Sequence, residues 1–406
     1  MNFQTMTILS IQRKKLKKFR LDRPKEECGV FGVSNHEDAS ALVALGLHAL
    51  QHRGQEGCGI SSFDGKSFHL EKRQGLVGDH FTDSTTIKKL PGNTALGHNR
   101  YSTTGEVSLR NIQPFFADLY SSGVSLAHNG NLTNAIELRD NLVKDGAIFR
   151  TTSDTETIVQ LIAKSNRIKM TEKIIDALFQ IQGGYALVMM TKKKLIGIRD
   201  PFGIRPLVIG KLKNSYIFAS ETCALDIIGA KFIREVENGE IVIIENEKLN
   251  SIKPFPVKKV RPDAFEYIYF SRPDSILKNK CAYEHRKKMG EELAKETDIS
   301  ADLVVPVPDS GVPAALGYSQ YSKKSFELGL IRNHYVGRTF IEPTQSIRSF
   351  GVKLKLNATQ TLVNNKKIIL VDDSLVRGTT CHKIVKMLYD AGAKEVHVRI
   401  ACPEIL

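Results

Sequence analysis

One stretch near the carboxyl end restricts the fold of this 406-residue chain more than any other. The apolar residues 368–371 are followed directly by Asp372, Asp373 and Ser374, and a helical pattern begins near Cys381. An apolar strand that ends in two carboxylates and continues through a Gly/Thr turn into a helix is typical of a parallel α/β sheet. We therefore expect this part of the chain to fold around such a sheet.

The same strand–helix junction has the pattern of a phosphate site. Backbone N–H groups of the turn and of the helix start can bind a 5′-phosphate, while the two carboxylates accept hydrogen bonds from ribose hydroxyls. The alternative is an ordinary strand end followed by a capped helix, where Asp and Thr are also common. Two adjacent acids before Arg-Gly-Thr-Thr favour the phosphate site, since capping alone does not require them. The turn and helix start comprise Arg377, Gly378, Thr379 and Thr380.

The pattern of apolar residues divides the chain into two domains. Short strands mixed with helices come first, which predicts an α+β fold with sheets sandwiched by helices. Strands then alternate with helices, which predicts an α/β domain with a parallel sheet. The polar residues 246–262, which include Pro and Lys, separate the patterns, so we expect a leader at 1–27 and domains at 28–255 and 256–406. The predicted strands are 30–33, 59–62, 95–97, 124–127, several within 185–244, 302–307, 326–331, 368–371 and 396–400, and the clearest helices are 41–50, 154–163 and 381–389.

The formal net charge of +14 raises the question of nucleic-acid binding. Residues 1–27 contain eight basic and three acidic residues, so this leader carries +5 and the rest of the chain +9. The other lysines are scattered without interleaved aromatic residues. A lysine-rich composition or an anionic phosphate substrate therefore explains the charge better than a nucleic acid does.

Cysteine usage and hydropathy indicate a cytoplasmic protein. The six cysteines include no CxxC pair and no metal-ligand spacing, which argues against zinc and against a disulfide framework. No apolar run is long enough to cross a bilayer, and the leader lacks the apolar core and cleavage site of a secretory signal. The leader is a transit segment, a wrongly assigned start or a propeptide.

Cys28 stands at the start of a predicted strand, where a lone cysteine is ordinarily a small buried apolar residue. Four motifs that follow it change this interpretation. They are His-Ala-Leu-Gln-His-Arg-Gly-Gln-Glu-Gly at 48–57, Gly-His-Asn-Arg-Tyr-Ser-Thr at 97–103, Ala-His-Asn-Gly-Asn-Leu at 127–132 and Thr-Thr-Ser-Asp-Thr-Glu at 151–156. Together with Cys28 they resemble the glutaminase half of the N-terminal-nucleophile amidotransferases.

Hydrolysis of an amide in glutamine requires a nucleophile, a base, an oxyanion site and groups that bind the two charges of the amino acid. The resemblance implies that Cys28 attacks the carboxamide and that its own freed α-amine, with a pKa of about 8, is the general base. Asn129 and the N–H of Gly130 would stabilise the oxyanion. Because the chain terminus supplies the base, His52 and His128 are expected to order loops. For glutamine binding the resemblance implies Arg100 at the α-carboxylate, Asp154 at the α-ammonium group, and Thr103.

Residues 371–380 closely resemble the diphosphate-sugar loop of the phosphoribosyltransferases. Residues 305–311 resemble the turn that holds the pyrophosphate end, and 335–341 resemble the flexible loop that closes over the sugar in amidotransferases, with the polar stretch to 351 as a mobile lid. The alternative for 335–351 is a surface connector without a role. The implied binding residues for 5-phosphoribosyl diphosphate are Arg338, Asp372, Asp373, Ser374, Arg377, Gly378, Thr379 and Thr380, and the implied Mg²⁺ ligands are Ser310, Asp372 and Asp373.

The combined motifs resemble the glutamine phosphoribosyldiphosphate amidotransferases. That resemblance implies that ammonia from glutamine reaches C1 of the sugar diphosphate inside the protein, giving 5-phosphoribosylamine, diphosphate and glutamate in the first committed step of purine biosynthesis. It also implies purine nucleotide inhibitors and a homo-oligomer, with neither nucleic acid nor membrane as partner.

The chain departs from this family in two places. Some members carry a [4Fe–4S] cluster whose first cysteine stands where this chain has Asp263, so we expect no cluster. Members also continue beyond the position of Leu406, so we expect a carboxyl-terminal truncation. Three alternatives stay open: a non-enzymatic phosphoribosyl-binding regulator, an inactive fragment of the enzyme, and a glutaminase that feeds another acceptor.

Overall fold

The structure, a computed structural model, describes residues 28–101, 108–119, 122–333, 356–375 and 378–403. Strands dominate the first part of the chain and form two sheets, in the orders β11-β9-β10-β1-β4-β2-β3 and β13-β12-β8-β7-β6-β5. Every pairing in the two sheets is antiparallel. The strands are β1 (Gly29–Val33), β2 (Gly57–Phe63), β3 (Phe68–Gln74), β4 (Thr94–Arg100), β5 (Phe115–Asp118), β6 (Gly123–Leu132), β7 (Gly183–Thr191), β8 (Leu195–Arg199), β9 (Val208–Leu212), β10 (Ser215–Ala219), β11 (Lys231–Glu235), β12 (Ile241–Glu245) and β13 (Lys248–Ile252).

Helices cover the outer faces of these two sheets. The helices are α1 (Ala39–Ala49), α2 (Val77–His80), α3 (Ser84–Lys88), α4 (Ala135–Lys144), α5 (Thr155–Lys164), α6 (Met170–Leu178) and α7 (Cys223–Asp226), with 3₁₀ turns at Gln51–Arg53 and Leu109–Asn111. Val43 and Leu47 of α1 pack against Phe31 of the first sheet, whereas α4, α5 and α6 pack against the second. The result is the predicted pair of sheets sandwiched by helices.

A third apolar core lies between the two sheets. It includes Val30 of β1, Val188 of β7 and Phe218 of β10, each completely buried. Strand β1 is paired on both edges, with β10 and β4, and its two faces lie against different apolar cores, so all five of its residues are buried. The start of this strand therefore places Cys28 in the interior of the protein.

The second part of the chain forms the predicted parallel sheet, in the order β17-β16-β20-β21. Ile368 and Leu370 face one apolar core and Ile369 and Val371 face another, so the continuous apolar run is buried on both faces. A π-helical turn at Glu266–Phe270 precedes the sheet. The elements are β14 (Ile276–Leu277), β15 (Lys280–Cys281), α8 (Ala282–Glu296), β16 (Leu303–Pro306), α9 (Val312–Ser322), β17 (Ser325–Phe326), β18 (Leu330–Arg332), β19 (Leu356–Ala358), α10 (Gln360–Val363), β20 (Lys367–Asp372), α11 (Thr379–Asp390) and β21 (Glu395–Ile400).

Two details of the predicted elements are wrong. The strand expected at 326–331 is divided, because β17 pairs with β16 in the parallel sheet whereas β18 pairs with β19 in a separate antiparallel ribbon. The polar stretch 246–262 contains β13, an edge strand with mostly exposed residues whose polarity conceals it in the sequence. The domain boundary near residue 255 stays a prediction, and it falls just after this strand. None of the helices in the described ranges is long and apolar enough to cross a membrane.

Candidate active site

Cys28 is held from three directions. It is 7% exposed, and its backbone N–H donates to Asn129 Oδ1 at 3.4 Å. Its thiol donates to the carbonyl oxygen of Tyr101 at 3.8 Å, and its own carbonyl oxygen accepts a hydrogen bond from Arg53 Nε at 2.9 Å. The nucleophile predicted from the sequence is therefore fixed by groups at the ends of β4 and β6 and in the Gln51–Arg53 turn.

Asn129 presents an unused donor beside Cys28. The side chain lies on β6 and is completely buried, and its Nδ2 atom has no hydrogen-bond acceptor among the described residues. Leaving a buried amide donor without an acceptor is unfavourable by about 1–3 kcal/mol, so the donor is best explained by an oxygen of a bound ligand. An amide N–H next to a thiol is the arrangement that stabilises an oxyanion during acyl transfer.

Gly130 has a structural reason to be glycine that is independent of chemistry. Its φ is +143°, and a Cβ atom would lie 2.1 Å from the carbonyl oxygen of Gly184 on the neighbouring strand. Any side chain at this position would therefore disrupt the β6–β7 pair.

Arg100 and Asp154 place opposite charges near Cys28. Arg100 ends β4, is 5% exposed, and donates from Nη1 to the carbonyl oxygen of Asn111 at 2.5 Å. Burial lowers the pKa of its guanidinium, and the nearby Cys28, Glu56 and Asp154 act in the opposite direction. Asp154 stands directly before α5 and accepts a hydrogen bond from the Leu132 N–H at 2.9 Å. A cation that interacts with both the thiol of Cys28 and the carboxylate of Asp154 forms, with that carboxylate, a pair of charges that matches those of an amino acid.

The two histidines of the motifs hold neighbouring segments together. His52 Nε2 lies 2.8 Å from Glu221 Oε1. His128 is 1% exposed, its Nδ1 lies 3.0 Å from Thr155 Oγ1, and burial lowers the pKa of the imidazole, so it is neutral. These partners support the prediction that both side chains order loops.

The second predicted site forms where two chain segments meet at the carboxyl edge of the parallel sheet. Asp372 ends β20, and the turn after β16 lies beside it because the Val307 N–H donates to the Val371 carbonyl at 2.9 Å. Ser374 Oγ donates to Asp373 Oδ1 at 2.9 Å, and Ser310 lies close enough to lower the pKa of the same carboxyl group. The structure thus brings together Ser310, Asp372, Asp373 and Ser374.

The paired carboxylates are held in a poorly solvated place. Burial and then the charge of Asp373 raise the pKa of Asp372 to about 7. Burial also raises the pKa of Asp373, against hydrogen bonds from Ser374 and Ser310 and the charge of Arg286. Like charges in a buried site favour either a shared proton or a bound cation.

Gly378 leads into α11 with a φ of +71°, a conformation that glycine adopts readily. Thr379 and Thr380 are the first residues of that helix and are exposed. The first N–H groups of a helix have no acceptor within the helix, so this turn can bind an anion as predicted. The other predicted features, Thr103, Arg338, Arg377, the leader 1–27 and the loop 335–351, lie outside the described residues.

Mg²⁺ fits the donor set at the sheet edge. This ion is bound in proteins by one or two carboxylates together with phosphate oxygens of a substrate, and Asp372 and Asp373 supply such a pair. Asp373 Oδ2 has no hydrogen-bond donor in the part of the chain that the structure describes, which leaves an oxygen for an ion. Within the described ranges there is no cluster of three or more His, Cys, Asp or Glu side chains that would hold a metal without a substrate.

Asp263 does not fit an iron–sulfur cluster, whose ligands are thiolates. Its carboxylate accepts a hydrogen bond from Arg205 Nη1 at 3.0 Å and so serves in an ion pair. The absence of a cluster stays a prediction.

Two buried polar clusters near the site were not predicted from the sequence. Arg53, Glu221 and Glu266 form one, and no local pattern marked them because a buried ion pair joins residues that are distant in sequence. Asp200 organises the other, accepting hydrogen bonds from the N–H groups of Phe202 and Ile204. The run Arg-Asp-Pro-Phe-Gly at 199–203 is a turn signal that would have identified it.

Comparisons with known proteins extend over both parts of the chain. Residues 98–226 match a family described as a glutamine amidotransferase domain. A protein from Rhizobium etli named amidophosphoribosyltransferase is 58% identical over 389 residues, which are 95% of this chain and 78% of the relative. An amidophosphoribosyltransferase from Staphylococcus aureus is 47% identical over 94% of this chain and 77% of its own length. The chain belongs to the amidophosphoribosyltransferase family.

Solved structures agree with this assignment. The structure described as the allosteric regulatory enzyme of purine biosynthesis superimposes with a TM-score of 0.89 at 46% identity, over 93% of this chain and 81% of that one. The glutamine phosphoribosylpyrophosphate amidotransferase from B. subtilis, complexed with ADP and GMP, gives a TM-score of 0.88 at 44% identity. Because these amidophosphoribosyltransferases match both the antiparallel and the parallel sheets, the enzyme is favoured over the non-enzymatic regulator.

Proposed function

We propose that this amidophosphoribosyltransferase transfers the amide nitrogen of glutamine to 5-phosphoribosyl diphosphate and forms 5-phosphoribosylamine, diphosphate and glutamate. This is the first committed step of purine biosynthesis. The observation that carries the proposal is the buried thiol of Cys28 beside the unused Nδ2 donor of Asn129. A sensor of phosphoribosyl compounds has no need for this pair.

The first half-reaction begins when Cys28 Sγ attacks the carboxamide carbon of glutamine. The thiol proton passes to the α-amine of Cys28 and from there to the leaving ammonia, while Asn129 and the Gly130 N–H stabilise the oxyanion. Water then hydrolyses the thioester and releases glutamate. The hydrogen bond from the Cys28 nitrogen to Asn129 Oδ1 supports this assignment, because it holds the proposed base next to the oxyanion donor.

Glutamine is oriented by charges on either side of the thiol. Arg100 would hold the α-carboxylate and Asp154 the α-ammonium group, with Thr103 as a further contact. The burial of Arg100 and its electrostatic interactions with both Cys28 and Asp154 support these roles. A bound zwitterion would satisfy both charges at once.

In the second half-reaction ammonia attacks C1 of the sugar and diphosphate leaves. Asp372 and Asp373 would hold the ribose hydroxyls and the Mg²⁺ that accompanies the substrate, together with Ser310. Mg²⁺ supplies charge neutralisation to the leaving diphosphate. Ser374, Arg377, Gly378, Thr379 and Thr380 would bind the 5′-phosphate and Arg338 the diphosphate.

The remaining parts of the proposal concern organisation and control. The glutaminase domain would span 28–255 and the phosphoribosyltransferase domain 256–406. We further propose that purine nucleotides inhibit the enzyme, which the B. subtilis relative's complex with ADP and GMP supports, and that the protein forms a homo-oligomer. Inhibition assays with ADP and GMP and the mass of the assembly in solution test these two points.

One experiment separates the candidate functions. Glutamate release is measured with and without 5-phosphoribosyl diphosphate, and phosphoribosylamine formation is measured with ammonia as donor. Our proposal requires stimulation by the sugar diphosphate and activity with ammonia. A regulator or an inactive fragment would release no glutamate, and a glutaminase for another acceptor would release it without stimulation.

The proposed base also requires removal of residues 1–27, because a Cys28 nitrogen within a peptide bond cannot accept a proton. Intact-mass measurement and amino-terminal sequencing of purified active enzyme are expected to find Cys28 as the first residue. Active protein that retains the leader would contradict the mechanism.

A further inference from the structure

Arg53 connects the nucleophile to a distant part of the chain. The side chain is completely buried, and while its Nε donates to the Cys28 carbonyl, its two terminal nitrogens bind carboxylates. Arg53 Nη1 donates to Glu221 Oε1 at 2.6 Å and to Glu266 Oε2 at 2.9 Å, and Nη2 donates to Glu266 Oε1 at 2.6 Å. One guanidinium thus joins the Cys28 backbone to the π-helical turn that precedes the parallel sheet.

The charges in this cluster are compensated. Burial lowers the pKa of Arg53, but Glu266 and Glu221 outweigh it and raise that pKa well above the ordinary value. Burial raises the pKa of Glu266, and Arg53 more than offsets this, so the carboxyl group stays ionised. A planar guanidinium with three bound partners in fixed directions has little freedom to rotate. A shift of Glu266 must therefore move Arg53 or break hydrogen bonds.

The other end of the cluster reaches the proposed sugar site. Ser271 Oγ donates to Glu266 Oε2 at 2.7 Å, and the carbonyl oxygen of Ser271 accepts a hydrogen bond from Arg286 Nη2 at 2.6 Å. Arg286 Nε also donates to the Tyr267 carbonyl at 2.9 Å. Arg286 in turn lies close enough to Asp373 for its charge to lower the pKa of that carboxyl group. Hydrogen bonds therefore run from Arg286 through Ser271 and Glu266 to Arg53 and Cys28, and the charge of Arg286 acts on Asp373 through space.

We propose that Arg53 is a positioning residue for Cys28, and that the contact series Arg286–Ser271–Glu266–Arg53 makes glutamine hydrolysis responsive to 5-phosphoribosyl diphosphate at Asp373. The proposal rests on the proposed function and adds the residues that link its two sites. Binding of the anionic substrate and its cation changes the charge around Asp373, and so the pull that this carboxylate exerts on Arg286. The rigid contacts then carry the displacement to the carbonyl of the nucleophile.

The test compares Arg53→Lys with Arg234→Lys. Lysine keeps the positive charge but lacks the Nε donor to Cys28 and the paired contact with Glu266. Arg234 is a matched control, because its guanidinium also makes a two-point contact with one carboxylate, Glu240, in the same part of the chain. For each protein three rates are measured: glutamine hydrolysis without the sugar diphosphate, hydrolysis with it, and phosphoribosylamine formation from ammonia.

In Arg53→Lys we expect the stimulation ratio of glutamine hydrolysis to fall about fivefold or more, a size typical of coupling between sites. The ammonia-dependent rate stays within about twofold of the wild type. Both hydrolysis rates are measured on one sample, so a partly unfolded fraction lowers them equally and does not change their ratio. A purely structural role of Arg53 would therefore leave the stimulation ratio unchanged. Arg234→Lys retains the wild-type ratio. A wild-type ratio in Arg53→Lys would overturn the proposal.

Glu266→Gln provides a second variant that keeps the shape of the side chain. It is expected to lower the stimulation ratio as well. The double variant with Arg53→Lys should lower the ratio little further than either single variant does, because both substitutions interrupt the same contact. Strictly additive effects would refute the proposed link. If the wild-type enzyme itself shows neither stimulation nor activity with ammonia, the proposed function fails instead, so the two failures are distinguishable.

Discussion

The two candidate sites of the protein balance their buried charges in different ways. At the glutamine site every charge has a protein counterpart nearby: Asp154 lies near Arg100, and Arg53 is bound by two carboxylates. At the sugar site Asp373 is buried and the adjacent Asp372 is half-buried, and loss of solvation with repulsion by Asp373 raises the pKa of Asp372 to about 7. Protein groups organise the first site, whereas at the second the charge of Arg286 acts on Asp373 and we expect a substrate with its cation to supply the remaining positive charge.

This difference has a chemical reason. Acyl transfer from glutamine requires donors that are fixed before the oxyanion forms, because preorganised groups need no rearrangement during the reaction. Transfer to a sugar diphosphate brings strong negative charge and Mg²⁺ into the site with the substrate, so a rigid set of protein cations is not needed there.

Removing the nucleophile should separate the sites completely. In Cys28→Ala we expect glutamine-dependent activity to fall by about 10⁴-fold or more, while activity with added ammonia remains, because the sugar site does not use the thiol. Both rates are measured on the same preparation. Cys58→Ala is the control, since burial raises the pKa of that neighbouring buried thiol to about 12 and leaves it unreactive. Equal loss of both activities in Cys28→Ala would contradict the two-site account.

The unused donor of Asn129 offers the next largest effect. Asn129→Ala should reduce kcat for glutamine by about 10²- to 10³-fold, with a smaller change in KM, because the lost hydrogen bond forms chiefly in the transition state. Asn134→Ala removes an exposed hydrogen bond to the Gln180 carbonyl and should leave kcat unchanged. A change in KM alone would show that Asn129 binds glutamine without stabilising the oxyanion.

The acidic pair at the sheet edge should respond in the opposite sense. Asp372→Asn or Asp373→Asn is expected to weaken binding of 5-phosphoribosyl diphosphate by about 10- to 100-fold, the usual cost of losing a hydrogen bond to a charged group. Basal glutamine hydrolysis survives in both variants. Calorimetric titration with Mg²⁺ present measures the affinity, and Asp390→Asn on the exposed end of α11 is the control. Unchanged binding in both variants would show that the sugar binds elsewhere.

The sequence predicted those parts of the molecule in which function and local pattern coincide. The run 368–371 is apolar because the strand is buried on both faces. The two acids follow where the strand leaves the apolar cores, at the carboxyl edge of the sheet. The conformation of Gly130 and the position of Asn129 follow from the pairing of β6 with β7. The motif at 127–132 does not itself specify this pairing, and only its resemblance to a known family pointed to the site.

The remaining features depend on contacts between distant residues. Arg53 is 168 residues from Glu221 and 213 residues from Glu266 in the sequence. Their pairing therefore produces no local or periodic sequence pattern. Most residues of the edge strand β13 are exposed to solvent, so its composition resembles that of a loop. In both cases the structure depends on residues that are near in space but distant in sequence, so the local sequence does not reveal it.

The smallest effect is a dependence of sugar binding on pH. The pKa of Asp372 is raised to about 7, so its proton is retained below that pH and lost above it. A raised carboxyl pKa means that the folded state disfavours the ionised form, so the contribution of Asp372 to stability falls as pH rises towards 7. Binding of Mg²⁺ with the sugar diphosphate requires the ionised form and therefore strengthens over the same range.

We expect the dissociation constant to increase up to about tenfold between pH 8 and pH 6, and binding at pH 6.5 to release a fraction of a proton. Calorimetry in buffers of different ionisation enthalpy measures the proton release. The phosphates of the ligand titrate in the same range, so the comparison with Asp372→Asn is decisive. That variant retains the contribution of the ligand and lacks that of the protein. An equal pH dependence in both proteins would show that ionisation of Asp372 does not control sugar binding.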